Sequence, residues 1–155
     1  LTHGHPSGWI AAGAFAAIIC ELLNGSEPAQ AVQTGLLLVE SEEAGNEVAQ
    51  GLVDAIAISE KTEVTVIDLE GLGAGWTAEE ALAISVACFL TDLEPQEQLL
   101  LAVNHSGDSD STGSITGNLI GTTKGWQAIP PDWRQDLELS ALITSIAREL
   151  TSFSG

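Results

Sequence analysis

Asn104-His105-Ser106-Gly107-Asp108-Ser109-Asp110-Ser111-Thr112-Gly113 runs without a break into Ser114-Ile115-Thr116-Gly117-Asn118-Leu119-Ile120-Gly121. The first part is an acidic loop studded with glycine, and the second carries glycine at every fourth position, 113, 117 and 121. That spacing places three positions without side chains on one helical face, where a neighbouring backbone can approach closely. A helical glycine costs about 1 kcal/mol relative to alanine, so three on one face imply a packing need. The stretch reads as a loop feeding a helix inside a bundle, with the apolar helix near Pro6 as the expected neighbour of the glycines. Asp108 and Asp110, with the Ser111 hydroxyl beside the second, form a compact set of hard oxygen ligands suited to a divalent cation such as Mg²⁺.

Working outward, Pro95 opens a helix carrying Leu99, Leu100, Leu101 and Val103 that delivers the acidic loop. Before it, Gly71, Gly73 and Gly75 alternate ahead of Trp76, and Thr77-Ala78-Glu79-Glu80 reads as a capping box for a helix to about Leu90. Residues 60–76 read as an extended loop, because the β-branched alternation in Glu63 to Asp68 has no partner strand. Three helices precede it. The first runs from Pro6 to Leu23 and is closed by Asn24-Gly25. Its apolar residues cover almost the whole circumference, which predicts a place in the middle of the bundle. A second is capped by Ser26, with Pro28 in its first turn, and a third spans about Ala44 to Ser59. Downstream, Gly125 ends the glycine helix, Pro130-Pro131 enforces a turn, and a last helix covers about Leu137 to Thr151. About seven helices and no convincing sheet predict an all-α multi-helix bundle.

Composition bounds the function. The chain of 155 residues is 45% apolar, enough for one core, and residues 1–155 read as a single domain. Twenty-two acidic against four basic residues give a formal charge of −18, which disfavours nucleic acid and anionic membranes as partners. Such acidity suits a high-salt habitat and an ordinary acidic cytosolic protein alike; the expected location is cytoplasmic. The apolar run from Ser7 to Cys20 is shorter than the ~20 residues of a membrane span and lacks a basic flank. Cys20 and Cys88 each sit in an apolar helical pattern with no second thiol nearby, so both are expected to be buried core thiols. The chain has no methionine and begins at Leu1, so it reads as a piece of something longer.

Around the acidic loop the residues resemble a known family, the ADP-ribosylglycohydrolases. That family has a late Gly-Asp-x-Asp-[Ser/Thr] motif entering a small-residue helix, followed by a glycine, an Ile-Pro and a tryptophan. The corresponding residues are Gly107-Asp108-Ser109-Asp110-Ser111-Thr112-Gly113, then Gly125, Ile129-Pro130 and Trp133. An earlier family segment, Thr-His-x-His-Pro before a small residue, glycine and an aromatic, is matched by Thr2-His3-Gly4-His5-Pro6-Ser7-Gly8-Trp9. Between the two lies Gly73-Ala74-Gly75-Trp76, ahead of the Glu79-Glu80-Ala81-Leu82 helix.

The resemblance covers nearly the whole chain and implies an all-α fold whose complete site holds two magnesium ions. It implies that Asp108, Asp110 and Ser111 are metal ligands, that His3 lines an ADP-ribose pocket, and that Gly73, Gly75 and Trp76 border the nucleotide. The implied activity is magnesium-dependent removal of ADP-ribose from a modified acceptor, either a protein or a small ADP-ribose conjugate. The motif forms are most similar to the branch acting on ADP-ribosyl-arginine, which includes the nitrogenase-reductase reactivating enzymes. Chemistry agrees: a metal holding ribose hydroxyls orients the sugar for attack at its anomeric carbon, and glycine lets backbone N–H groups approach phosphate. Family members also carry an N-terminal glycine-aspartate segment with a nearby acidic catalytic residue, and a Thr-Asp-Asp metal motif; neither occurs here. The chain thus resembles the C-terminal half. The general base is unassigned, and the missing N-terminal half or a second chain is expected to supply it.

Other readings compete. Asp108-x-Asp110-x-Thr112-Gly113-x-Ile115 fits the opening of an EF-hand calcium loop, but Leu119 stands where the bidentate glutamate belongs. The loop also reads as a polar helix cap. Trp76, Trp126 and Trp133 serve either adenine stacking or packing. His105 reads as surface or supporting, and Glu42-Glu43 and Glu79-Glu80 as solvated helix-start charges. A non-catalytic binding or structural relative of the same fold, as lens proteins of this fold are thought to be, is the alternative from another functional class.

Overall fold

The computed structural model describes residues 4–152, and these form helices with no strand among them. In chain order they are α1 (Pro6–Leu23), α2 (Pro28–Glu40), α3 (Asn46–Ser59), α4 (Val66–Glu70), α5 (Ala78–Phe89), α6 (Pro95–Val103) and α7 (Ser109–Lys124). A 3-10 turn (Trp126–Ala128), α8 (Pro131–Asp136) and α9 (Ser140–Ser152) follow. The all-α expectation holds. Local chemistry sets most boundaries: Pro6, Pro28, Pro95 and Pro131 are first residues of their helices, where the missing N–H has no partner to lose. Gly25 and Gly125, with φ of 88° and 77°, take positive-φ conformations open to glycine where α1 and α7 stop.

The middle of the bundle is α5, not α1. Every residue from Ala81 to Phe89 is buried, and α5 packs against α1, α3, α6 and α7. Each fully buried Leu, Ile or Val there, such as Leu82, Ile84 and Val86, contributes about 1.5–3 kcal/mol. α1 is long and apolar enough to cross a membrane, yet it buries only one face, with Ile10, Ala14, Ile18 and Leu22 packed inward. Its outer face carries Trp9, Ala12, Ala16, Cys20 and Leu23. Apolarity on all sides therefore misled the placement of α1, because the outward positions are mostly small. It likewise misled the reading of Cys20, which is exposed, whereas Cys88 is buried and its thiol is pushed up to about 12 by desolvation.

Other expectations need correction. The segment read as an extended loop contains α4, because Thr65 and Asp68 form a reciprocal capping box that outweighs the β-branched composition. Ser26 does not cap α2; Glu27 holds that position, and the Ser26 hydroxyl donates to the Glu21 carboxylate at 2.8 Å. Thr77 sits at the N-cap of α5 without a side-chain cap bond. The glycine face of α7 turns toward α6 rather than α1: a Cβ at Gly113 would meet Val103 Cγ1 at 2.7 Å, one at Gly117 would meet Leu99 Cδ2 at 3.8 Å, and one at Gly121 would meet nothing within 4 Å. Arg134 lies over the Trp126 ring at 5.6 Å, a cation–π contact that ties α8 to the 3-10 turn.

Candidate functional site

The acidic loop is held from below by His105, which is 4% exposed. Its Nδ1 accepts the Gly107 N–H at 3.0 Å, so the proton of the neutral ring resides on Nε2, 2.9 Å from the Thr112 hydroxyl oxygen. That hydroxyl in turn donates to the Ala102 carbonyl at 2.7 Å. The chain of donors and acceptors fastens the end of α6 to the start of α7 and curls residues 104–108 between them. From the side, the Ser106 N–H donates to Glu70 Oε1 at 3.2 Å and the Asp108 N–H donates to the Ala74 carbonyl at 2.8 Å. Gly107 has to be glycine here, since a Cβ would run into the Ala74 carbonyl.

On this platform the two carboxylates converge. The Ser111 hydroxyl donates to Asp108 Oδ2 at 2.8 Å, and the Ser111 N–H donates to Asp110 Oδ1 at 2.9 Å. The neighbouring Asp108 carboxyl, with which Asp110 can share a proton, and then the Ser111 N–H hold the Asp110 carboxyl below the usual carboxylate range. Both acids lie at the N-terminal end of α7, where the helix dipole favours negative charge. Among the described residues no group of three His, Cys, Asp or Glu gathers around one point, so the local donor set is two carboxylates and a hydroxyl. Hard oxygens of this kind fit Mg²⁺, which completes its shell with water or ligand oxygens. They do not fit an EF-hand: Leu119, at the twelfth place, is wholly buried in α7.

At Ser111 opens a cleft of about 990 Å³, lined also by His5, Trp9, Glu47, Trp76 and Glu79 but not by Asp108 or Asp110. Gly75 and Ser111 therefore meet at one cavity, with Trp76 at its edge, 82% exposed. Gly73 lies behind that wall, against the Glu80 side chain, and His3 falls outside the described residues. Trp126 and Trp133 are not among the residues that line it. Gly73 and Gly75, with φ of 120° and 71°, take backbone conformations that side-chain-bearing residues avoid.

The backbone N–H groups of Ala74 and Trp76 both donate to Glu80 Oε2, each at 3.2 Å. Glu80 is thus no solvated helix-start charge. It turns back toward the helix entry as a capping-box residue would, but reaches past Thr77 to the glycine loop. The supporting place expected for His105 is the one it takes, whereas nothing in the sequence signals the parts played by Thr112 and Glu70. Only Glu80 carried a signal, as the third residue of α5.

The ADP-ribosylglycohydrolase family model matches residues 1–154. The chain belongs to the ADP-ribosylglycohydrolase family. Curated relatives include the proteins named ADP-ribosylhydrolase ARH3 of Mus musculus, Bos taurus and Homo sapiens, each 28% identical over 78 residues. Those alignments cover 43% of this chain, and 21%, 21% and 22% of the three relatives, so the chain matches about a fifth of their length. No solved structure gives a significant match.

Proposed function

We propose that this ADP-ribosylglycohydrolase chain carries the magnesium-binding part of a site that hydrolyses the bond between ADP-ribose and an acceptor, most simply ADP-ribosyl-arginine on a protein. The observation that carries the reading is the meeting of Asp108 and Asp110 at Ser111, which lines a cleft large enough for a nucleotide-sized ligand although the two acids themselves do not line it. These three residues would hold the magnesium, which when bound orients ribose hydroxyls and offsets charge building on oxygen. The chain's own residues do the rest of the binding. The exposed Trp76 ring, at the edge of the cleft, offers a stacking face.

Three protein ligands leave room for a second set of carboxylates, which a complementary segment or a second chain would bring together with the general base. The test is an assay with ADP-ribosyl-arginine and Mg²⁺. The chain alone is expected to give no turnover, and turnover that depends on Asp110 is expected once the complementary segment is added. Robust magnesium-dependent hydrolysis by the 155-residue chain alone would place the base within it, and Glu47 and Glu79, which line the cleft, would be the first to replace. The second reading, a non-catalytic binding relative, is favoured by the short local ligand set. It predicts ADP-ribose binding by calorimetry with no turnover even after complementation.

A further inference from the structure

We propose that Glu80 is a positioning residue: it fills the anion seat of the glycine loop with the protein's own carboxylate and, through Ala74, sets the place of Asp108. Gly73 and Gly75, both at positive φ, turn the N–H groups of Ala74 and Trp76 toward one point, as a backbone nest does around an anion. The atom at that point is Glu80 Oε2, reached from the first turn of α5, whose positive dipole end favours a carboxylate there. Gly73 lacks a side chain where Glu80 packs, since a Cβ at that position would overlap the Glu80 side chain.

The opposite side of the same residue is also engaged. The Ala74 carbonyl accepts the Asp108 N–H at 2.8 Å, and Gly107 leaves the space that this approach needs. One residue therefore links a carboxylate on α5 to the first acid of the acidic loop. Two consequences follow. The amides that a glycine loop would offer to a phosphate are occupied, so what the loop presents to the cleft is chiefly the exposed Trp76 ring. In addition, slackening of Glu80 should be transmitted through Ala74 to Asp108. That the transmitted effect reaches ion binding rests on the reading of Asp108 as a ligand; the mechanical link does not.

Residue-resolved amide hydrogen exchange on the unliganded 155-residue chain tests the link. Glu80→Ala should speed exchange of the Ala74, Trp76 and Asp108 amides by about tenfold or more while amides in α2 keep their protection. Glu80→Gln, whose amide oxygen accepts the same two N–H groups, should restore all three. Should Glu80→Ala fail to fold, Glu80→Asp against Glu80→Gln gives the same comparison, since the shorter carboxylate cannot span the gap. Acceleration at Ala74 and Trp76 with Asp108 unchanged would overturn the coupling, and no acceleration at any of them would overturn the proposal entirely. A parallel Mg²⁺ titration should show affinity about tenfold weaker in Glu80→Ala and restored in Glu80→Gln. If the unaltered chain takes up no Mg²⁺, the ion reading of Asp108 and Asp110 fails, while the exchange pattern still decides the role of Glu80.

Discussion

His105 Nε2 lies 2.9 Å from the Thr112 hydroxyl oxygen, and both residues are almost wholly out of solvent. The ring N–H relies on that hydroxyl for its acceptor, while the hydroxyl itself also donates to the Ala102 carbonyl. Replacing Thr112 with valine, nearly the same shape, leaves the ring N–H and the Ala102 carbonyl without their present partner. A buried donor or acceptor left unmade costs about 1–3 kcal/mol, so Thr112→Val should lower the melting temperature by several degrees. His105→Ala should cost at least as much, because it also strips the Gly107 N–H of its acceptor and leaves a cavity. Thermal unfolding followed by circular dichroism reads both. Melting temperatures unchanged within a degree would mean water replaces the ring without loss.

The glycine face of α7 predicts an order of stabilities. Gly121 faces open space and Gly117 ordinary van der Waals distance, so alanine at either should stabilise by about 0.5–1 kcal/mol through helix propensity and a less flexible unfolded chain. Gly113 is different: a Cβ would press on Val103, a β-branched side chain with little rotamer freedom. Gly113→Ala should fall below the other two, at or under the parent stability. Chemical denaturation of the three single variants checks the order, and equal gains at all three sites would show that α6 yields freely.

These glycines also show which parts of the fold were legible. Their helix, its loop and its Gly125 stop act through local backbone preference, and each lies where local chemistry puts it. So do the four prolines that open helices. The partner of the glycine face was not legible, since α1 and α6 both offer apolar surfaces and only three-dimensional packing chooses between them. The same holds for α1 against α5 as the central helix: both are apolar all round, and the enclosed one is set by how many neighbours surround it. Asp108, Asp110 and Ser111 could be singled out as a cluster because they are near neighbours in sequence, and the structure joins them through Ser111. Glu80 and Glu70 could not, because their partners, Ala74, Trp76 and Ser106, are brought to them by the fold.

Asp68 sets a pH dependence at α4. Its carboxyl is held well below the usual carboxylate range by the Lys61 ammonium, then by the Thr65 hydroxyl and the Thr65 N–H. A depressed folded value means the stabilisation is fully present above the unfolded value, about 3.9, and is lost as pH falls through the folded one. The α4 turn should therefore persist in acid beyond the point where ordinary carboxylates are protonated. Lys61→Ala should move the Asp68 titration back toward the ordinary range, with the α4 cap loosening at correspondingly higher pH. Carboxyl carbon shifts followed by NMR through an acid titration report both. An unmoved Asp68 midpoint in the variant would assign the depression to Thr65 alone.

The paired acids make a linked prediction for metal. Asp110 is exposed and its carboxyl sits below the usual range because of Asp108 and the Ser111 N–H, so it stays ionised in mild acid. Protons compete with a cation only where a ligand is protonated, so Asp110 itself should keep its charge available to Mg²⁺ into mild acid. Asp110→Asn removes one charged ligand from an exposed position. It should weaken Mg²⁺ binding about ten- to a hundredfold with little change in melting temperature, because no buried contact is lost. Ser111→Ala should weaken binding less, since a neutral ligand is removed, although Asp108 also loses the hydroxyl that orients it. Calcium should not bind in preference, because the buried Leu119 cannot supply the bidentate oxygen that a seven-coordinate calcium loop needs. Isothermal titrations with both cations across a pH series decide the matter: tight, selective calcium binding that survives Asp110→Asn would show that the paired acids are not the ion site.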